Sequence, residues 1–503
     1  MTTATPIATS QKKVIVVGGG IAGLSAGIYA QKCGFDTTII ESHSIPGGNC
    51  TSWKRGGYLF EGGMHWLTGS DTKDPTNALW RYTGALDDSV VIHVDEPFME
   101  YDFQGTPIRF YRDIDKTEQH LKDISPADAK EIETLCGYMR KVQNFAMPVT
   151  DLRGVKITNR SRMTLSSLFS AIPALFLVKK LTGISRNDYI KRFSHEGIRD
   201  LLRSSTNEDT GILPPVFTMG TLARGDGGFP EGGSLPFARR MADTFTGSGG
   251  RILYNTRVER VLVESRKAVG VVAGGEQLEA DAIIVTVDTM QMDHLFDTPP
   301  QAKWLDDMRS RTKPTMCTFV SLGIDADLRS YEHAYVFKPK EPLTLADQTH
   351  EFLCVNNYAA DPFYSPEGKT AMTTQLGGDT YEFWKQAKEK DRYEAEKQRI
   401  GEKVVEAVTA QMPEAAGKVE ICDVATPLTY ERYCANWKGS WMTEMTSDIS
   451  MKSYPAVVEG LSGVYFAGHR MMPPGGLPVA LMSGRAAVQY LCRDTDTLFV
   501  SEG

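Results

Sequence analysis

The 503-residue sequence predicts an α/β fold in which a parallel-sheet domain, assembled from separated stretches of chain, is combined with a mixed α+β domain. Three observations favour this class. A strand, a glycine turn, a helix and a second strand follow one another over residues 13–41, and a glycine-rich junction between a strand and a helix recurs at 463–492. Two long inserts lie between these motifs, and the chain is longer than one hydrophobic core normally serves.

The first motif is the unit KKVIVVGGGIAGLSAGIYAQKCGFDTTIIES. An apolar run at 14–17 predicts a strand, an Ala-rich stretch to about residue 33 predicts a helix, and 37–40 predicts a second strand. The order of these elements is that of a complete βαβ unit.

The glycines of this unit and the acid at its end predict a dinucleotide site. Gly18 permits the tight turn, Gly20 lets a pyrophosphate approach the backbone, and Gly23 allows the helix to pack closely on the sheet. The helix N-terminus would face the phosphates. Glu41 lies 18 residues after Gly23, a spacing that suits a carboxylate accepting hydrogen bonds from ribose hydroxyls. The plainer interpretation, a chance glycine turn, does not account for the whole combination.

The residues after Glu41 carry a family resemblance. Glycine pairs at 47–48 and 62–63, the second preceded by Glu61, resemble the extended fingerprint of FAD enzymes of the amine-oxidase and phytoene-desaturase type. Residues 226–233 and 249–263 resemble that family's mid-chain return to the FAD domain. The resemblance implies FAD as the cofactor, with contacts from Gly48 and from the backbone of Val258 at the adenine end.

The second motif is FAGHRMMPPGGLPVALMSGR, residues 466–485. Residues 463–468 predict a buried strand, and 478–492 predict a helix. A helix N-terminus at this junction would stabilise the negative charge that reduced flavin develops around N1 and the C2 oxygen. The alternative is a proline-rich connector before a surface helix. The stretch resembles the same family's C-terminal flavin motif, which implies cofactor contacts from Gly468, Gly476, Leu477 and Pro478.

One residue departs from that motif. The family often has an acidic residue directly after the strand-ending glycine, whereas Gly468 is followed here by His469. The usual polar contact to the ribityl or phosphate region is therefore expected to differ. His469 is interpreted either as a hydrogen-bond donor or as a substitution that faces solvent.

The motifs also predict the domain organisation. Residues 13–70, 226–299 and 446–503 are assigned to a discontinuous, glutathione-reductase-like Rossmann-type FAD-binding domain, 71–225 and 300–445 to a mixed α+β substrate domain, and 1–12 to a flexible lead. Neither insert contains a second dinucleotide turn. The flavin is therefore expected to exchange electrons with the substrate, a quinone, oxygen or another protein. Direct docking of a reduced nicotinamide over the flavin stays open.

An uncharged run at 164–178 is the most unusual part of the first insert. Fifteen residues with Pro173 inside are too few to span a bilayer, which needs about 20. Cationic residues flank the run on both sides, a distribution suited to a membrane surface rich in anionic lipid. A buried helix pair that lines the substrate domain is an equal alternative, and the two interpretations merge if the run forms the mouth of a tunnel.

Three other stretches of the inserts predict scaffold elements. A helix begins after Ser125, which is a plausible N-cap because Pro126 takes the first helical position. Residues 315–325 predict a sheet strand, and a charge-dense helix is expected from about 381 to 412, with its Lys and Glu residues on a solvated face.

Composition limits the compartment and the partners. The net charge of −8, without a basic cluster, argues against nucleic acid. The eight cysteines form no Cys-x-x-Cys pair, so reduced thiols are expected rather than disulfides or a metal site. Since the N-terminus also lacks the basic-then-apolar pattern of a secretory signal, a cytosolic protein is predicted, with peripheral attachment to a membrane as the further option.

Candidate chemistry centres on GGMHWLTG, residues 62–69. The family places this part of the chain beside the flavin ring, and retinol saturases carry a similar Gly-x-His-aromatic pattern. The resemblance implies that His65 is catalytic, donating or accepting the proton that accompanies hydride transfer at a carbon–carbon double bond. A histidine satisfied by local hydrogen bonds is the equal alternative.

A second stretch, residues 425–441, resembles the segment that precedes the flavin motif in carotenoid isomerases and retinol saturases. Aromatic residues of this kind are also common in ordinary cores. The side chains that could wall an apolar cavity are Tyr430, Arg432, Tyr433, Trp437 and Trp441.

The resemblance to phytoene desaturases, carotenoid isomerases and retinol saturases extends over nearly the full chain. It implies an FAD-dependent oxidoreductase that desaturates, saturates or isomerises double bonds of an apolar polyene or isoprenoid. The direction of the reaction, the substrate and the electron donor or acceptor stay open. A flavin amine oxidase and a non-enzymatic prenyl-binding chaperone are the alternatives, and the retained glycines and Glu41 disfavour the second.

Overall fold

The computed structural model describes residues 11–160, 165–181, 183–205, 211–444 and 452–502, with the backbone alone for 165–171. The expected flexible lead at 1–12 falls largely outside the described residues. Within them the helices are α1 Ile21–Lys32, α2 Pro75–Tyr82, α3 Ile114–Ile124, α4 Ala129–Val142, α5 Leu165–Leu181, α6 Arg186–Ile190, α7 Glu196–Ser204, α8 Leu213–Ala223, α9 Ser234–Gly247, α10 Lys303–Arg311, α11 Tyr381–Glu389, α12 Tyr393–Gln411, α13 Pro427–Cys434 and α14 Leu477–Asp494.

The strands of the same residues are β1 Lys13–Val17, β2 Asp36–Ile40, β3 Ser52–Arg55, β4 Tyr58–Glu61, β5 Ile92–His93, β6 Met99–Phe103, β7 Thr106–Phe110, β8 Phe229–Pro230, β9 Arg251–Leu253, β10 Val258–Glu264, β11 Lys267–Ala273, β12 Glu276–Glu279, β13 Ala282–Val285, β14 Pro314–Thr315, β15 Cys317–Ile324, β16 Ala334–Phe337, β17 Leu343–Leu345, β18 Gln348–His350, β19 Leu353–Asn357, β20 Thr370–Gly377, β21 Val419–Ala425, β22 Met442–Thr443 and β23 Val464–Phe466.

A five-stranded parallel sheet carries the glycine-rich motifs. Its order is β23-β13-β1-β2-β9, with Val17 paired to Ile40 on one side and to Val285 on the other. The predicted strand at 463–468 adds β23 to one edge, where Phe466 pairs with Val285. Strands from three distant parts of the chain therefore build one sheet, as expected of a mixed α/β fold. The domain boundaries given above stay a prediction.

Helix α1 packs closely on the turn after β1 and on helix α14. At Gly23 in α1, a Cβ atom would lie 1.9 Å from the carbonyl oxygen of Gly18, so no side chain fits there. At Gly484 in α14, a Cβ would lie 2.3 Å from the carbonyl oxygen of Ala22. The hydroxyl of Ser25 adds a hydrogen bond to the carbonyl of Leu481 at 2.8 Å. The helices of the N-terminal and C-terminal motifs thus lie directly against each other.

A seven-stranded sheet, in the order β21-β15-β20-β19-β16-β6-β7, forms the second layer. Its neighbours are antiparallel except for β16 and β6, where Val336 pairs with Tyr101 in parallel. That pair joins the two inserts in one sheet. One face packs against α12 through an apolar cluster that includes Val320, Leu322 and Val404.

The hairpin of β3 and β4 connects the two sheets. Trp53 donates from Nε1 to Asp423 at 2.7 Å, and the Tyr58 hydroxyl donates to Glu420 at 2.6 Å, both on β21. At Gly323 of β15 a Cβ would come within 2.5 Å of the Tyr58 ring. The hairpin therefore packs against β15 and β21 of the larger sheet. The residues after β4 lie in the space between the two sheets.

Two expectations about helices need correction. The predicted single helix at 381–412 is two helices, α11 and α12, because Asp391 between them takes a left-handed conformation with φ of 54°. The uncharged run, whose first residue at 164 lies outside the described residues, forms one continuous helix through Pro173 and not a helix pair. Among the described residues, no helix is long and apolar enough to cross a bilayer.

Two other expectations hold. The helix predicted after Ser125 begins as a 3₁₀ turn over Pro126–Asp128 and continues as α4. All eight cysteines are free thiols, as their spacing predicted.

Candidate functional site

A cavity of about 1300 Å³ runs between the parallel sheet and the seven-stranded sheet. Its walls contain residues from both glycine-rich motifs, from the turn after β4 and from α13. The sequence motifs that are far apart along the chain therefore border one space.

One end of this cavity is lined by Gly18, Gly20, Glu41 and Gly48. The Glu41 carboxylate accepts hydrogen bonds from the backbone nitrogens of Gly19 at 2.6 Å and His43 at 2.7 Å. These bonds fix the carboxylate at the end of β2, and its remaining lone pairs can accept hydrogen bonds from hydroxyl groups.

The backbone at this end is shaped for close approach. Gly18 has φ of +105°, a conformation that glycine adopts without strain. A Cβ at Gly20 would meet no protein atom closer than 3.8 Å and would project into the cavity. The N-terminus of α1 has Gly20 as its N-cap, without a side-chain hydrogen bond. The first N–H groups of α1 can therefore bind an anion.

The flavin-motif residues Gly468, Gly476, Leu477 and Pro478 line the opposite part of the cavity. Gly476 has φ of +90° and is the N-cap of α14, again without a side-chain hydrogen bond. Pro478 takes one of the first two helical positions, where the missing N–H costs nothing. A second helix N-terminus thus opens on the same space as that of α1.

A buried ion pair lies in the wall beside this helix. Arg470 donates from Nε to Asp288 Oδ1 at 2.8 Å and from Nη2 to Asp288 Oδ2 at 2.9 Å, and its Nη2 also donates to the Ser440 hydroxyl at 2.6 Å. Burial alone would raise the pKa of Asp288, but the charge and hydrogen bonds of Arg470 hold this pKa below its ordinary value. Both side chains are almost fully buried.

His469 also lines the cavity. The interpretation that it faces solvent is wrong, because the residue is half-buried and its Nε2 is fully buried. Burial, reinforced by the charge of Arg470, lowers the pKa of His469 to about 4. Its ring is therefore neutral at pH 7.

His65 lies in the cavity wall between the two sheets. Its Nε2 faces the side-chain amide of Gln375 on β20, and its Nδ1 lies 3.4 Å from the amide nitrogen of Asn356 on β19. Burial and the neighbouring His333 lower the pKa of His65 to about 4. The imidazole is thus neutral and lies between two amide side chains from the larger sheet.

A buried carboxylate shapes the turn that leads to His65. Glu61 accepts from the backbone nitrogens of Gly63 at 2.8 Å, Met64 at 3.0 Å and Ser234 at 3.0 Å. Burial raises the pKa of Glu61, although these hydrogen bonds act in the opposite direction. The acid in the sequence fingerprint therefore fixes the loop between β4 and His65 and does not line the cavity.

Aromatic side chains form much of the remaining wall. Tyr430 of α13 stacks at a tilt on Phe319 of β15, with ring centroids 5.4 Å apart, and donates from its hydroxyl to the carbonyl of Gly62 at 2.9 Å. Trp441 and Trp53 line the same region. The polar end of Tyr430 is therefore satisfied by the His65 loop while its ring faces apolar neighbours.

Three of the residues chosen from the sequence lie outside the cavity lining. Gly23 is covered by its contact with Gly18, in keeping with the packing role predicted for it. Trp437 is absent from the lining, although Arg432 and Tyr433 from the same stretch belong to it. Val258 is buried at the start of β10, two residues after Thr256, whose nitrogen donates to the carbonyl of Glu41 at 3.0 Å. Its predicted contact with adenine stays a prediction.

The partners of the site residues carry no signal in the sequence. Gln375 and Asn356 lie 310 and 291 positions from His65. The Asp288–Arg470 pair joins two loops whose partners are 182 positions apart. A single Gln or Asn inside a strand pattern carries no local signal of such a role. Only the tertiary structure brings these side chains together.

A match to a protein-family model identifies the family of this chain. The model of the family described as flavin containing amine oxidoreductase matches residues 21–492. The chain belongs to this family. The resemblance stated from the sequence motifs is thereby confirmed, and FAD is the cofactor that the flavin amine oxidoreductases imply.

Three relatives share 24–27% sequence identity with this flavin amine oxidoreductase. The 4,4'-diapophytoene desaturase of Methylomonas sp is 24% identical over 95% of both chains, and the all-trans-retinol 13,14-reductase of Danio rerio is 24% identical over 84% of this chain and 76% of its own. The lycopene-forming phytoene desaturase of a Paracoccus strain is 27% identical, but the match covers 56% of this chain and 55% of that protein.

Solved structures share the fold of this flavin amine oxidoreductase. Cyclohexylamine oxidase from Brevibacterium oxydans has a TM-score of 0.61 at 14% identity and covers 97% of this chain and all of its own. A putrescine oxidase variant has a TM-score of 0.61 at 15% identity, over 96% and 99%. At this identity the likeness describes the architecture alone.

The residues present fit FAD. A Cβ at Gly20, Gly468 or Gly476 would enter the cavity with no protein atom closer than 3.8 Å, so these glycines leave a cradle that side chains would fill. Two uncapped helix N-termini, those of α1 and α14, open on the cradle and suit an electron-rich ligand. The buried Nε2 of His469 has no hydrogen-bond partner among the described residues.

Proposed function

We propose that this chain is an FAD-dependent oxidoreductase that acts on carbon–carbon double bonds of an apolar polyene or isoprenoid. The observation that carries the proposal is a single cavity of about 1300 Å³ that runs from Gly20 to the aromatic wall at Tyr430 and Trp441. Ligand pockets usually measure about 300–1,000 Å³, so the space suits a cofactor and a second, apolar molecule. The relatives named as desaturases and as a retinol reductase support this substrate class.

The parallel sheet and its helices would serve as a Rossmann-type FAD-binding domain. Gly18, Gly20, Glu41 and Gly48 would hold the nucleotide half of the cofactor, because they combine open backbone, a helix N-terminus and a fixed carboxylate. The residues that would border the flavin half are Gly468, Gly476, Leu477 and Pro478.

The chain's own residues would orient the substrate and limit the proton chemistry. FAD, when bound, accepts or donates a hydride at its flavin ring. His65 is neutral at pH 7, so it can accept a hydrogen bond or a proton but carries no imidazolium proton to give. Gln375 and Asn356 flank the ring, and the wall formed by Phe319 and Tyr430 would exclude water from the reacting carbons.

Access from a membrane is part of the proposal. Helix α5 exposes Leu175 and Phe176 at 67% and 71%, whereas Ala174 and Leu177 of the same helix are buried against the protein. Two lysines, at 179 and 180, follow in its last turn. An exposed apolar stripe beside cationic side chains suits the surface of an anionic bilayer, in which apolar substrates are dissolved.

The decisive experiment follows the flavin and the polyene together. The anaerobically reduced holoprotein is mixed with a panel of retinoids and carotenoids, and the oxidised holoprotein is mixed with the same panel. Flavin reoxidation with a polyene band at shorter wavelength indicates saturation, flavin bleaching with a band at longer wavelength indicates desaturation, and a changed chromatographic retention without net flavin change indicates isomerisation.

The same mixing series tests the alternative chemistry. The fold likeness to amine oxidases and the aromatic wall of the cavity favour an amine oxidase as the second candidate. Putrescine and cyclohexylamine are therefore added to the oxidised holoprotein. Bleaching by an amine, together with inert polyenes in both redox states, would overturn the polyene proposal.

A further inference from the structure

We propose that the cavity takes substrates that end in an anionic group, and that Lys385 and Lys388 bind this group where the cavity opens to solvent. The inference rests on the function proposed above and deepens it, because it narrows the substrate to a polyene or isoprenoid with a terminal carboxylate or phosphate. It concerns a part of the cavity wall, formed by α11, α12 and α13, that the proposed redox chemistry does not use.

One side of α11 borders the cavity. Tyr381, Lys385 and Lys388 line it, and their spacing of four and three residues places them on the same side of the helix. The side that carries Trp384 and Ala387 is buried. Both lysines are exposed although they belong to the lining, so they lie at its opening. The expected solvated face of this charge-dense segment is therefore, in part, the edge of the cavity.

The opening carries more positive than negative side chains, and its acids are already engaged. Asp423 accepts from Trp53 Nε1 at 2.7 Å and lies 3.8 Å from Arg55. Glu431 accepts from the Tyr381 hydroxyl at 2.9 Å. The charged residues of this part of the lining are the cations Arg55, Lys385, Lys388, Lys397 and Arg432 and the acids Asp423, Glu394 and Glu431.

Lys385 and Lys388 differ from the other cations because they have no protein partner. Lys397 lies 3.7 Å from Glu394. Among the described residues, neither Lys385 nor Lys388 has a hydrogen-bond or ion-pair partner. Unopposed charges of one sign at the mouth of a cleft raise the local concentration of ligands of the opposite sign. The two ammonium groups are therefore available to an anion that enters the cavity.

Helix α13 connects this opening to the apolar wall. Tyr430 is buried and packs on Phe319, whereas the next two residues, Glu431 and Arg432, line the opening. A molecule with its apolar body against the wall and its charged end at the lysines would span both regions. A polyene without a polar end would leave the lysines unused.

The chemistry of the ammonium group selects the end group. Lysine is a donor with a full positive charge, and its bonds to carboxylate or phosphate oxygens are stronger than those to a neutral hydroxyl. An acid should therefore bind more tightly than the alcohol with the same carbon skeleton.

The test compares probes that differ in the end group. All-trans-retinoate and all-trans-retinol are titrated into the oxidised holoprotein, and the dissociation constants are taken from the quenching of tryptophan fluorescence. Retinoate should bind about 5- to 20-fold more tightly than retinol. Sodium chloride at about 0.5 M should remove most of this difference, because salt screens exposed charges. Geranylgeranyl phosphate and geranylgeraniol, measured by displacement of retinol, show whether phosphate is preferred to carboxylate.

A double variant assigns the preference to the lysines. Lys385→Met with Lys388→Met removes both charges at similar side-chain length, so the affinity for retinoate should fall to that for retinol, which should itself change less than about twofold. The matched control is Lys390→Met with Lys403→Met. It removes two charges from the same part of the chain, but neither residue lines the cavity, and both affinities should stay within about twofold.

Equal affinities within both pairs of probes, or no binding of any probe, would refute the inference. A preference for the acid that survives in the Lys385 and Lys388 variant, or an equal loss in the control, would do the same. The proposed function is judged by the mixing series. Turnover of neutral polyenes without preference for an acid contradicts this inference alone, whereas retinoate binding through the lysines without any redox or isomer change contradicts the proposed reaction alone.

Discussion

Arg470 and Asp288 form a buried ion pair with two hydrogen bonds, Nε to Oδ1 at 2.8 Å and Nη2 to Oδ2 at 2.9 Å. The pair joins the loop after β13 to the loop after β23. Asp288 also accepts from the nitrogen of Trp437 at 3.0 Å. Three separate segments of the cavity wall are therefore fixed by one carboxylate.

Removal of one partner should destabilise the protein strongly. Arg470→Met leaves the Asp288 charge buried and unpaired, and we expect a loss of about 3–5 kcal/mol in the free energy of unfolding. Chemical denaturation at pH 7 measures this loss. Arg329→Met is the matched control, because the Arg329–Asp327 pair lies on the surface and should contribute less than about 1 kcal/mol. Equal losses in the two variants would contradict the assignment.

Alanine substitution at two helical glycines should change the stability of the protein in opposite directions. A Cβ at Gly484 would lie 2.3 Å from the carbonyl oxygen of Ala22, so Gly484→Ala should force α14 away from α1 and cost about 1–3 kcal/mol. A Cβ at Gly137 in α4 meets nothing within 4 Å, and Gly137→Ala should stabilise by about 0.5–1 kcal/mol. Thermal unfolding of both variants checks the signs. A stabilised Gly484→Ala variant would show that the helices are not in close contact.

His65 and His469 should make stability depend on pH. Each has a folded pKa of about 4 against an ordinary value of 6.5, so the unfolded chain binds more protons between these values. The contribution of the two histidines to the free energy of unfolding is fully present above pH 6.5 and is lost as the pH falls towards 4. His65→Asn should lower this slope by up to about 1.4 kcal/mol per pH unit. Unfolding at pH 7, 5.5 and 4.5 measures this slope.

Gln375 should act through His65 and not through FAD. Gln375→Leu removes the amide that faces His65 Nε2, so the ring loses its fixed orientation. We expect turnover of the polyene found in the mixing panel to fall about 10- to 100-fold, since small misplacements near the reacting atoms carry costs of this size. The FAD dissociation constant should not change. Gln386→Leu, at an exposed position of α11, is the control, and an unaffected rate in Gln375→Leu would refute the role.

Helix α5 should bind anionic membranes through its exposed stripe. The double change of Leu175 and Phe176 to Ser should abolish flotation with vesicles that contain phosphatidylserine, because it removes the apolar side chains that would enter the bilayer. The lysines at 179 and 180 stay unchanged in this variant, so the test concerns the apolar side chains alone. Leu498→Ser, which removes another exposed apolar side chain, should have no effect. If the double variant floats as before, α5 is not the membrane contact.

The N-terminal motif was predictable because its determinants are local. The apolar run of β1, the glycine turn and the alanine-rich α1 specify the βαβ unit within about thirty residues, as the pairing of Val17 with Ile40 confirms. The break between α11 and α12 was not predictable in this way. The sequence there contains neither Gly nor Pro, and Asp391 adopts a left-handed conformation within tertiary structure that local propensity does not describe.

The same distinction between local and tertiary determinants applies to the candidate site. The glycines and Glu41 can be recognised from the sequence, because each meets a backbone requirement within one motif. The surroundings of His65 depend on Gln375 and Asn356, which neighbouring strands of a distant insert deliver. The low pKa of His65 follows from that burial, so it too could be known only from the folded structure.

The edge position of β23 has a consequence for biosynthesis. The central strands β1 and β2 leave the ribosome early, but the strand beside β13 and the helix that packs on α1 come from residues after 463. At roughly 5–20 residues per second, tens of seconds separate the synthesis of the two halves of the cradle. The nascent chain must therefore complete both inserts before it can capture the flavin, and a chain truncated before β23 should be colourless however well its first glycine turn has formed.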